Sequence, residues 1–123
     1  MYKNYIDYCP LKYISCYTDN KSLKVSWQDH IPEKEIDTSI ELVRSLVKAL
    51  SVQTLLIDGS NLKSYDFGLN WKIIETSWQS FCEKGGKKII IINASRLPNY
   101  LEEEYTNAIK DYGIPIELEF KVK

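Results

Sequence analysis

Along this chain the apolar residues change their spacing several times, from every second position to every third or fourth and back. Leu23, Val25 and Trp27 alternate with Ser22, Lys24 and Ser26, the pattern of a strand with one buried and one wet face. A strand-like run at 12–18 precedes it across Asp19-Asn20-Lys21, whose turn residues predict a β-hairpin. After Pro32, Ile36, Ile40, Val43, Val47 and Leu50 repeat at three- and four-residue steps and predict a helix from Glu33 onward. Glu33 and Glu35 suit the positive end of its dipole. Residues 52–57, Val-Gln-Thr-Leu-Leu-Ile, have the low polarity of a strand buried on both faces.

The alternation continues to the end of the chain. Trp71, Ile74, Trp78 and Phe81 predict the inner face of a helix over 70–84, which Gly85-Gly86 then terminate. Residues 88–92 form a second apolar strand. A loop from Asn93 to Pro98 leads into a third helix over 99–112, with Leu101, Tyr105, Ala108 and Tyr112 facing inward and Gly113 stopping it. In the last strand Ile116, Leu118, Phe120 and Val122 alternate with Glu117, Glu119 and Lys121. The predicted order is β-β-α-β-α-β-α-β. Helical crossovers join parallel neighbours, so the expected fold is α/β with a mixed sheet of about five strands, its antiparallel part supplied by the hairpin.

Composition narrows the range of functions. At 123 residues the chain suits one domain spanning 1–123, with 1–11 as a tyrosine-rich arm. Hydrophobic residues at 44% and charged residues at 27% are ordinary globular values, and a net charge of -1 gives no basic surface for nucleic acid. Cys9, Cys16 and Cys82 are odd in number and widely spaced, which suits reduced thiols in a cytoplasmic protein. Only His30 could join them as a zinc ligand, and its spacing is wrong. The start lacks a signal-peptide pattern. The longest apolar run, 89–92, is far too short to span a bilayer.

Chemistry is thinner than architecture. Asp58-Gly59-Ser60 follow the strand at 52–57, and a turn-rich stretch at 61–70 leads to the second helix. Open α/β sheets place their sites at such strand ends. Asp58 reads either as a binding carboxylate or as a turn cap, and Asp66 either as a ligand anchor or as a helix cap. The stretch 58–61 is neither a P-loop nor a dinucleotide fingerprint. No cysteine has a histidine placed to activate it, so no enzyme and no cofactor are expected. Tyr2, Tyr5, Tyr8, Tyr13 and Tyr17 crowd the first 17 residues, as an interface or as an arm packed on the sheet edge.

The element order, Leu55-Leu56-Ile57-Asp58-Gly59-Ser60, Tyr65-Asp66-Phe67-Gly68-Leu69, 86–91 and Trp27 together resemble the STAS family. That family comprises the sulfate-transporter and anti-sigma-factor-antagonist domains and small bacterial relatives. The resemblance covers about 12–122 and implies a phospho-regulated protein-binding module, in which a serine just after the matched aspartate takes phosphate. Asp66 matches that aspartate. Phe67 and Gly68 follow it, so the usual acceptor is missing and Ser64 is the nearest serine.

The expected function is therefore a non-enzymatic regulatory module with a protein partner. Its surface would comprise Asp58, Ser60, Ser64, Tyr65, Asp66, Phe67, Asn93 and Ser95. The alternative is a small-ligand or lipid-binding domain with an apolar pocket between the sheet and the helix over 70–84.

Overall fold

The computed structural model describes residues 4–6, 13–19, 21–29, 31–62, 67–93 and 99–122. The order is β1 (Asn4–Ile6), β2 (Ile14–Thr18), β3 (Ser22–Asp29), α1 (Glu33–Ala49), β4 (Thr54–Leu62), α2 (Phe67–Glu83), β5 (Lys88–Asn93), α3 (Asn99–Asp111) and β6 (Glu117–Val122). From β2 onward this is the expected α/β order. The sheet has six strands rather than about five, because Asn4–Ile6 in the tyrosine-rich arm pairs antiparallel with β2. That stretch of the arm does lie on the sheet edge.

Strands follow one another across the sheet in chain order, β1 to β6. β2 runs antiparallel to both of its neighbours, β1 and β3, and β3 to β6 are parallel. Each crossover therefore steps one strand in the same direction, and right-handed connections then put α1, α2 and α3 on one face. Burial follows that geometry. Leu23, Val25, Trp27, Leu55, Ile57, Ile89 and Ile91 are each at most 1% exposed and share a core with Ile40, Val43, Val47, Ile73, Ile74 and Phe81 from the helices. The opposite face carries the alternate residues of every strand and has no described helix on it.

Local chemistry explains the boundaries. Asp19 Oδ1 accepts the backbone N–H groups of Lys21 (2.8 Å) and Ser22 (2.7 Å), closing the β2–β3 hairpin. Those two hydrogen bonds hold the Asp19 carboxyl below its ordinary pKa. At the end of α2, Gly86 N–H bonds to the Phe81 carbonyl (2.7 Å) and Gly85 N–H to that of Cys82 (3.1 Å). This is a Schellman motif with Gly85 at φ 98°. Gly86 is needed for another reason: a Cβ there would overlap the Phe81 ring. Gly113, at φ 66°, ends α3 in the same way, and Ile114 then packs as a buried residue beside buried Ile109.

Two helix faces are rotated from their predicted positions. Among the described side chains of α2, Ile73, Ile74, Ser77 and Phe81 are fully buried, whereas Trp71 and Trp78 are only partly buried at the margin. Ser77 is small enough to let the helix approach its neighbours closely, and an indole at that central position would hold it away. Trp71 instead braces the outer layer. Its ring stacks on Tyr105 at 6.0 Å and meets Tyr112 at 6.0 Å, while Tyr105 stacks on Phe120 at 5.9 Å. In α3 Tyr105 is buried as expected, joined by Ile109, whereas Tyr112 is 67% exposed. The expected burial of Tyr112 is thus overturned, because α3 ends at Asp111 and Tyr112 lies in the turn that follows.

Candidate functional site

β4 does not stop at Ile57 as its apolar run suggests. It continues through Asp58-Gly59-Ser60-Asn61 to Leu62, with Gln28 paired to Asn61 and Asp29 to Leu62. The continuation depends on a bulge: Ser26 pairs with Asp58, but two residues later Gln28 pairs with Asn61, three residues along β4. One extra residue in β4 lets a polar segment stay hydrogen-bonded to β3 while its side chains are re-aimed. The loop to α2 is correspondingly shorter than the expected 61–70 stretch.

Register sets where Asp58 points. Its partner Ser26 belongs to the polar parity of β3, so Asp58 projects to the helix-free face, on the same side as Lys24. It is nevertheless only 2% exposed. Burying a carboxylate costs several kcal/mol unless it is compensated. Here Asp58 Oδ1 accepts the Ser60 N–H at 2.9 Å and the Ser60 hydroxyl at 2.6 Å. Lys24 Nζ stands 3.6 Å from Oδ2, and its side chain is 25% exposed. Asp58 thus caps the bulge and anchors an ion pair across two parallel strands. The turn-cap reading has its counterpart here, in the backbone N–H of Ser60 that Asp58 accepts.

Around this pair lies an open groove of about 280 Å³, lined by Ser15, Tyr17, Lys24, Ser26, Gln28, Asp58 and Asn61. These residues come from β2, β3 and β4, alternate in sequence along β2 and β3, and include no aliphatic side chain. Further across the same face, Leu56, Ile90 and Ile92 form an apolar strip. Ile90 is buried yet stands apart from the main core. Beyond it Lys88 Nζ pairs with Glu119 at 2.7 Å and with Glu117 at 3.9 Å. The Glu119 partner raises the Lys88 pKa, and Lys88 lowers that of Glu119.

Of the expected site residues, the structure brings Asp58 and Ser60 together. Phe67 is the first residue of α2 and Asn93 the last of β5, one step beyond Ile92, the strand partner of Asp58. Ser64, Tyr65, Asp66 and Ser95 lie outside the described residues. Lys24, Ser15, Tyr17, Ser26, Gln28 and Asn61 were missed as site residues. Their signal was present in the wet parity of β3, and finding the site required knowing that Ser26 aligns with Asp58. Among the described residues no group of three or more His, Cys, Asp or Glu could hold a metal ion. Nor is any described helix long and apolar enough to cross a membrane.

No family model matches this sequence, and no curated protein matches it.

Proposed function

We propose that this chain is a non-enzymatic interaction module of the STAS-like kind, engaging a protein partner with the helix-free face of its sheet at the β3–β4 end. One observation carries the reading. Parallel strands are almost always covered on both faces, and here three crossovers in one direction put every described helix on the same side. The side without a described helix holds a buried carboxylate, paired with a part-exposed lysine, beside an apolar strip, an arrangement that lowers stability compared with plain alternation. Departures of that kind concentrate at functional surfaces. The resemblance carried by 55–60 and 65–69 supports a protein partner in the same region, and Asp58 and Ser60 belong to both. A phosphoswitch at the usual position has no hydroxyl to use, since Phe67 and Gly68 follow Asp66.

The space between the sheet and α2 is filled by Ile73, Ile74 and Phe81 against Leu55, Ile57, Ile89 and Ile91. That packing favours a solid core over an apolar ligand pocket there.

The test compares partner capture from native lysate by the parent chain, Asn61→Arg and Tyr65→Ala, each with a melting curve. Loss of capture in Asn61→Arg with an unchanged melt is expected. Capture that survives Asn61→Arg but fails in Tyr65→Ala, without loss of stability, would move the interface to residues 63–66.

A further inference from the structure

We infer that the groove beside Lys24 and Asp58 is a binding site for a small uncharged polyhydroxylated molecule of monosaccharide or cyclitol size. The lining chemistry selects the class. Among the described lining residues, the cation Lys24 and the anion Asp58 face each other at 3.6 Å, so an ionic ligand would have to compete with an existing pair for its counter-charge. The described lining residues include no aliphatic one, so an alkyl ligand would leave polar groups desolvated without partners. Beside Lys24 and Asp58 stand the Ser15 and Ser26 hydroxyls and the Asn61 amide, groups that each both donate and accept hydrogen bonds. A ligand rich in hydroxyls has the same two-way character. Tyr17 adds a ring against which the C–H face of a cyclic polyol can lie.

Size and rigidity agree with that class. A volume of about 280 Å³ is at the lower edge of small-molecule sites. The lining sits on paired strands rather than on loops, with β2, β3 and β4 in continuous register through Ser15, Ser26 and Asp58. The hydrogen bonds from Ser60 fix the Asp58 carboxylate at the base of the groove. Positions held in this way need little reordering on binding, which is where polar ligands otherwise lose affinity.

The polyol site is independent of the protein-partner reading and is tested on the isolated chain, so neither result decides the other. The ¹⁵N-labelled full chain is titrated with D-glucose and, separately, with myo-inositol. Glucose 6-phosphate and 1-hexanol serve as the charged and apolar comparisons. At least one polyol is expected to give saturable amide shifts centred on Ser15, Ser26, Gln28 and Asn61. Asn61→Ala is expected to weaken that binding about tenfold, the equivalent of one good hydrogen bond, with an unchanged melting curve. Ser26→Ala, on the opposite strand of the groove, is expected to do the same. The proposal is overturned if neither polyol gives saturable shifts, if either comparison compound fills the groove more tightly, or if both variants bind like the parent.

Discussion

The two faces of the sheet are built from the same strands and serve opposite ends. In β3, Leu23, Val25 and Trp27 are fully buried beneath the helices, while their immediate neighbours Lys24, Ser26 and Gln28 face away from them and line a polar groove. In β4, Leu55 and Ile57 join the core, and Asp58 turns to the other side. The contrast shows how one set of strands holds a packed core on one side and a polar groove on the other. A period of two gives each strand one parity for each face of the sheet. The bulge at 58–61 interrupts that division, and the candidate site lies there.

Substitutions on the helix-covered face should produce the largest effects. Phe81→Ala removes a ring that fills the space between α2 and the sheet and should cost about 3–5 kcal/mol in chemical denaturation. Trp78→Ala, at the margin of the same helix, should cost clearly less. If the two losses were equal, the inner face of α2 would be centred on the tryptophans after all.

The next effect belongs to the buried carboxylate. Asp58→Ala strips the acceptor from the Ser60 N–H and hydroxyl and leaves Lys24 without its counter-ion. The expected loss is about 1–3 kcal/mol in urea denaturation. Asp58→Asn, which keeps an acceptor oxygen for Ser60 but no charge, should fall between the parent and Asp58→Ala. If Asp58→Asn proved as damaging as Asp58→Ala, the ion pair rather than the Ser60 bonds would hold the bulge. Gln28→Ala on the groove rim should stay within about 0.5 kcal/mol of the parent, because that residue is exposed.

Most of the fold was legible in the sequence for a simple reason. The 23-25-27, 36-40-43-47 and 118-120 patterns each report burial through a fixed local period, and the glycines at 85 and 113 mark real positive-φ helix ends. The misreadings arose where two elements compete for one volume. Ser77 rather than Trp78 faces the core because close helix approach favours the smaller side chain, a fact of packing and not of period. The strand at 52–57 looked finished because Asp, Gly, Ser and Asn are turn residues. A pairing partner in Gln28 and Asp29, distant in sequence, carries it on to Leu62. The groove was half legible: the wet parity of β3 was plain, but its alignment with Asp58 is a matter of register and no local pattern encodes it.

The smallest expected effect is a pH dependence at the far end of the bare face. Glu119 has its pKa lowered in the folded chain by Lys88, so its contribution is present above the ordinary glutamate range and is lost as pH falls through the lowered value. Lys88 has its pKa raised by Glu119, so its contribution is complete below the ordinary lysine range and is lost as pH rises through the raised value. Glu119→Gln should therefore flatten the stability profile at both the acid and the alkaline end. It should leave the groove unaltered. A variant profile parallel to the parent at both ends would show that this exposed pair contributes nothing in solution.

The most direct test of the division between faces is an amide-shift map of the ¹⁵N-labelled chain titrated with a purified captured partner. If the bare face is the working surface, the perturbed amides will cluster on Ser15, Tyr17, Lys24, Ser26, Gln28 and Asn61, with the exposed positions of α1 unmoved. Shifts confined to the outward residues of α1 and α3, such as Asp37, Glu41, Arg44 and Glu103, would contradict it.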